Sequence, residues 1–205
     1  MIDLDRFIVE LDRLITATHL YDELYCDDEA IKVVSSVSNQ AFEIIRLSMH
    51  NDIVMSAARL IFDGKGYKTK DQEYEYLSQY NLATKYDRFI DAELNTHRDR
   101  VRNLKESLNV KNYRDLVLAH NDKPTLTGES ELPKHNLETV TLLELLRESR
   151  LLFFGIRLKV AQEQGETSLA VAGCNVVRSG VGYNLVRKLK NITNKGSRRI
   201  NAQLL

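Results

Sequence analysis

Apolar residues along this chain recur at threes and fours rather than at twos, the period of a helix with one buried face. In the first segment Ile8, Leu11, Ile15 and Thr18 share a stripe, and Asp27 and Asp28 stand where an N-cap belongs. This predicts a helix over 4–25 and a new start at Asp28. From 29 to 63 neither Pro nor Gly interrupts, and Val33, Val37, Ile44, Met49, Ile53 and Leu60 keep helical spacing. A long second helix of roughly 50 Å is predicted, at about 1.5 Å per residue, with Gly64 and Gly66 as its C-terminal caps. A loop over 64–70, a short helix over 71–79 and a longer one over 83–108 follow. The longest of these carries the paired charges of a half-exposed face, Asp91, Glu93, Arg98 and Asp99 among them. A short helix over 111–120 is stopped by Asn121 and Pro124, and 121–136 reads as a loop. Residues 137–163, apolar on several sides through Leu142, Leu143, Leu145, Leu146 and Phe153, should form the most buried helix, ended by Gly165. A final basic helix is predicted over 171–190. With no repeat and no sustained strand alternation, the fold class expected is all-α, an antiparallel helical bundle. It is expected to be one domain over 1–192 with a basic, flexible tail over 193–205.

Composition supports helix. The 205 residues suffice for one large domain with a buried core, and 9 Gly, 2 Pro and no Trp are too few turn formers for an all-β architecture. Charge changes the picture only through its distribution, because 29 basic residues balance 29 acidic ones. Residues 1–30 carry nine acids and two bases, a balance of −7, whereas 167–205 carry seven bases and no acid. The basic end, with Arg187, Lys188 and Lys190, is a candidate RNA-phosphate surface. Equally, the two ends could simply attract each other or a partner subunit. Cys26 and Cys174 are too few for a disulfide framework or metal cluster and are expected to be buried thiols. The N-terminal MIDLDRFIVELDRL lacks the continuous apolar stretch of a signal peptide, and the richest apolar run, 151–156, is far below the roughly 18 residues of a membrane span. A cytoplasmic location is therefore expected.

The stretch NYRDLVLAHND places Arg114, Asp115 and His120 on one short helix that stops just after the histidine. Tyr113, Leu116, Val117 and His120 share a stripe, which taken alone describes a histidine packed for structural reasons. Arg114 lies six positions before His120, about 120° round an ideal helix, so both can serve one site only with a bent helix end or a second chain. Chemically the pair suits RNA cleavage by its own 2′-hydroxyl. Near neutral pH a histidine can take the hydroxyl proton or protonate the leaving oxygen, and a fixed guanidinium can stabilise the crowded phosphate charge without a metal. The helix C-terminus favours a protonated His120, hence a general acid. No cofactor is called for.

An arginine, a polar residue, four more positions and a histidine resemble the motif of the HEPN superfamily. Together with AARLIFD at 57–63, YRDLVLAHND resembles the abortive-infection U-type HEPN family over roughly residues 30–125. The resemblance implies a HEPN-like bundle, a homodimer whose two motifs face one basic cleft, and a metal-independent endoribonuclease of toxin or phage-defence type, with an antitoxin protein as a candidate partner. In it Arg114 would stabilise phosphate, His120 act as general acid or base, and Asp115 orient. The alternative within the family is a catalytically inactive HEPN module that binds RNA, nucleotide or a partner protein. One departure is Asp122, where toxins silenced by nucleotidyltransferases often carry Tyr, which argues against silencing by modification there. A scaffold or antitoxin-like protein built on the opposed charges of the two ends is a third reading. Among other candidates, Arg59 and Asp63 at i and i+4 read as an ion pair. His19, His50, His97 and His135 show no ligand spacing, and Asp27, Asp28 and Glu29 read as a helix cap rather than a metal site.

Overall fold

The computed structural model describes residues 2–64, 66–70, 72–108, 110–113, 115, 137–166 and 179–203. Among them the chain is helical apart from one small hairpin. It falls into two compact units, Met1–Ile15 with Ile53–Val177, and Thr16–Asp52 with Arg178–Leu205. The first helix, α1 (Ile2–Tyr25), starts two residues before its expected position, and the second, α2 (Asp28–Ala57), starts where the capping residues placed it. Asp27 accepts the Ala30 N–H at 2.8 Å, so the acidic run at 27–29 begins with a helix cap.

In the first unit the core is aliphatic and aromatic. Phe7, Ile8, Leu11 and Leu14 of α1 are buried, as are Leu142, Leu145, Leu146, Phe153 and Ile156 of the helix Thr139–Glu163, here α6. The rings of Phe7 and Phe153 meet edge to face at 4.7 Å. As expected, α6 is the most buried helix, and it also buries charge. Arg157, 3% exposed, pairs with Asp5 at 2.7 Å and Glu166 at 3.0 Å, and Glu148 takes His97 at 2.6 Å and Arg100 at 3.2 Å. Breaking such a buried pair typically costs about 3–5 kcal/mol. Helix α4 (Ala92–Ser107) packs along α6, closely enough that a Cβ on Gly155 would come within 2.4 Å of Leu94.

Between α2 and α4 the chain departs from its expected course. No helix forms over 72–78. Instead β1 (Gly66–Lys68) pairs antiparallel with β2 (Glu73–Glu75), with Tyr67 opposite Tyr74. Tyr74 and Tyr76 alternate at a period of two and suit a pleated surface better than a helix. Thr69 closes the turn, donating its N–H and its hydroxyl to the Gln72 carbonyl at 2.8 and 2.9 Å. Gly66, at φ 154°, is required there, because a Cβ would sit 1.9 Å from the Tyr74 carbonyl oxygen. It therefore serves the hairpin rather than a helix cap, and the preceding helical stretch ends at Asp63 in an extended conformation. The helix expected over 83–108 is two helices. Ser78 caps α3 (Gln79–Lys85), a tight turn spans Asp87–Phe89, and Asp91 caps α4 by accepting the Leu94 N–H at 3.0 Å. A carboxylate placed to cap outweighs weak helical continuity. Helix α5 (Val110–Tyr113) is the described beginning of the segment expected at 111–120.

In the second unit α2 is interrupted. Ser38 is extended (φ −165°, ψ 98°), so the helix is not continuous as expected. The surrounding VVSSVS is β-branched and serine-rich, poor in helix propensity, and its hydroxyls compete for the backbone. Ser36 donates to the Val33 carbonyl at 2.7 Å and Ser38 accepts the Ala41 N–H at 3.4 Å. The last helix, α7 (Val181–Gln203), starts later and runs further than the expected 171–190. Gly180, at φ 87°, sets its start, and the buried Glu23 carboxylate accepts the N–H groups of Gly180 and, at 2.7 Å, Gly182. Cys26 is exposed at the α1–α2 junction rather than buried, because the chain leaves the helical stripe there. Cys174 lies outside the described residues.

Candidate functional site

Helix α5, the described lead into the YRDLVLAHND segment, packs on the AARLIFD turn. After α2 the chain tightens into a π-helical turn, Ala58–Phe62, in which the Asp63 N–H reaches back five residues to the Ala58 carbonyl at 2.8 Å. Helix α5 packs on this turn, as does α3. Lys105 of α4 donates its ammonium to the Ile61 carbonyl at 2.8 Å, satisfying an acceptor the turn leaves open, and burial lowers the pKa of that lysine. Ala58, Leu60 and Ile61 face the core, as does Val110 at the start of α5. The segment leading into Arg114 is thus seated on the AARLIFD turn. Arg114 and His120 themselves lie outside the described residues, whereas Asp115 is half-buried.

Beside that turn lies a cavity of about 470 Å³, lined by Arg6, Glu10, Arg13, Ser56, Arg59 and Tyr76, with Leu60, Asp63 and Leu77 completing its wall. Arg13 donates to the buried Ser56 hydroxyl at 2.8 Å, and Arg59 reaches the same oxygen at 3.4 Å. Glu10 offsets part of the charge through Arg6 at 2.6 Å and Arg13 at 3.1 Å. Arg59 and Asp63, read from sequence as a structural ion pair, both line this basic cavity. Arg6 and Arg13 were missed, although with Glu10 between them at i, i+4 and i+7 they form one charged stripe of α1 that sequence displays.

The family model AbiU2, a HEPN domain, matches residues 1–145, including both the AARLIFD turn and the YRDLVLAHND segment. The chain belongs to the AbiU2 family. The match extends the resemblance to α1 and to the whole arginine cavity, and it stops inside α6. No curated protein and no solved structure matches the chain.

In this AbiU2 chain the other candidates are placed as follows. Arg187, Lys188 and Lys190 stand exposed on α7, in the second unit and beyond the family match. Arg187 donates to Asn184 at 2.9 Å, and Lys190 pairs with Glu29. His97 is bound to Glu148 at 2.6 Å, and His50 lies near Tyr21 with ring centroids 6.3 Å apart. His135 lies outside the described residues. Among the described residues no three His, Cys, Asp or Glu side chains are grouped to hold a metal ion, and none of their helices is long and apolar enough to cross a membrane.

Proposed function

We propose that this AbiU2 protein is a metal-independent endoribonuclease of toxin or phage-defence type, acting in the cytoplasm as a homodimer and restrained by a partner protein. Membership of a HEPN family over a span that contains Arg114, Asp115 and His120 carries this reading. The packing of α5 on the Ala58–Phe62 turn supports it, because it gives the segment that leads into Arg114 a rigid base. In the reaction the 2′-oxygen bonds to phosphorus and the bond to the 5′-oxygen breaks, leaving a 2′,3′-cyclic phosphate and a 5′-hydroxyl. His120, as the imidazolium, gives its proton to the departing 5′-oxygen. The His120 of the partner subunit, in its neutral form, takes the 2′-hydroxyl proton. Arg114 stabilises the charge building on the phosphate, Asp115 orients, and Arg187, Lys188 and Lys190 hold the RNA backbone.

The test is cleavage of total cellular RNA in EDTA by wild type and His120→Ala, with folding followed by circular dichroism. Cleavage by wild type alone, with cyclic phosphate ends and a folded mutant, is the expected result. The half-buried Tyr113, on the stripe His120 would share, supports the second reading, an inactive HEPN module in which His120 is structural. No cleavage by either protein, with a destabilised mutant, would establish that reading instead.

A further inference from the structure

We propose that the arginine cavity and the tyrosine hairpin beside it form one binding track for single-stranded RNA, with phosphate in the cavity and unstacked bases on the tyrosines. The idea deepens the ribonuclease reading and takes from it only the identity of the polymer. Arg13 and Arg59 converge on a single buried hydroxyl, at 2.8 and 3.4 Å. Like charges so placed repel, and an anion between them relieves the repulsion. Three guanidinium groups face two carboxylates, Glu10 and Asp63, so the cavity keeps an excess positive charge. At about 470 Å³ it has the size of a small-ligand site.

Tyr76 forms part of the same wall, and from it a row of rings continues along the hairpin. Tyr67 lies 5.8 Å from Tyr76 and stacks on Tyr74 at 4.9 Å with the planes only 14° apart. These rings are 51%, 37% and 39% exposed for Tyr67, Tyr76 and Tyr74. Wet aromatic faces continuous with a basic cavity are the combination that holds unpaired nucleotides, since every base can stack and every linkage carries a phosphate. A duplex hides its base faces and could use only the arginines.

The test is fluorescence anisotropy with a short, labelled, fully 2′-O-methylated RNA, which cannot be cut by its own 2′-oxygen, so binding is read apart from cleavage. Tyr67→Leu and Tyr76→Leu should each weaken binding about tenfold with little change in salt dependence. Arg59→Gln should weaken it by a similar factor and flatten the slope of log K against log salt by about 0.7. Glu10→Gln should tighten binding severalfold, a gain that a merely structural Glu10 would not produce. A duplex of the same sequence should bind at least about tenfold more weakly. Variants that bind like wild type, a duplex that binds as well as the single strand, or a wild type that does not bind would each overturn the track. If the variants bind normally while wild type cleaves RNA, the track fails and the ribonuclease reading stands. If the variants lose binding while wild type never cleaves, the track stands and the ribonuclease reading fails.

Discussion

The arginine cavity of the first unit and the basic face of α7 in the second carry the same sign of charge on different scaffolds. In the cavity Arg6 and Arg13 of α1 meet Arg59 from the turn after α2, together with carboxylates and a buried hydroxyl, beside exposed tyrosines. On α7 the described cations Arg187, Lys188 and Lys190 follow one another on a single exposed helix that begins without an acidic residue in its first turn. A convex, flexible-side-chain surface attracts any polyanion through counterion release. A concave one with fixed guanidinium groups and neighbouring rings can distinguish among them. The difference suggests that general attraction and selection are divided between the two units.

The largest effect should come from removing the chemistry while leaving both surfaces intact. His120→Ala is expected to slow RNA cleavage in EDTA at least about a hundredfold, as loss of a general acid or base does, with RNA affinity unchanged by anisotropy. The two surfaces separate next. Changing Arg6, Arg13 and Arg59 together to Gln should weaken single-strand binding by about a hundredfold and leave in place the preference over duplex, which the tyrosines supply. Changing Arg187, Lys188 and Lys190 together to Gln should weaken single strands and duplexes alike by about tenfold. Equal losses in both triple variants would erase the proposed division of labour.

Smaller effects concern what holds each scaffold. Glu23→Ala removes the acceptor for two N–H groups at the start of α7. It should cost about 1–3 kcal/mol, read as a lower melting temperature and earlier proteolysis at residues 179–185. The smallest effect is on pH dependence. Although partial burial opposes it, hydrogen bonds from Lys85 and Tyr86 hold Asp3 below the usual carboxylate range, and His97 and Arg100 do the same for Glu148. A depressed carboxylate stabilises the fold fully above its unfolded pKa, about 4, and that stability is lost as pH falls toward the folded value. Urea unfolding between about pH 5 and 3 should show stability falling with acid, and Asp3→Asn should flatten the fall.

Much of the helical frame was legible because its signals are local. Asp27 and Asp28 marked the start of α2, Gly165, at φ 69°, marked the end of α6, and the apolar sides of 137–163 marked the central helix. The misses have a common cause. At Ser38, at the Tyr67–Tyr74 hairpin, at Asp91 and at Gly180 a side chain or turn competes with helix by small margins. Periodicity does not weigh a serine hydroxyl against a backbone carbonyl, nor does it register a distant Glu23 carboxylate at the start of α7.

Sequence by itself determined the all-α class, because helical periodicity and capping are properties of neighbouring residues. It also displayed Arg114, Asp115 and His120 at a spacing that resembles the HEPN motif, and the excess of basic residues at the C-terminal end. Only tertiary structure decided that Arg6 and Arg13, on the first helix, share a cavity with Arg59 and Tyr76, and that the AARLIFD turn supports the helix leading to Arg114. Those residues are far apart in the chain, and what joins them is the burial of α1 and α6 in one core, an energy summed over many side chains that no local pattern records.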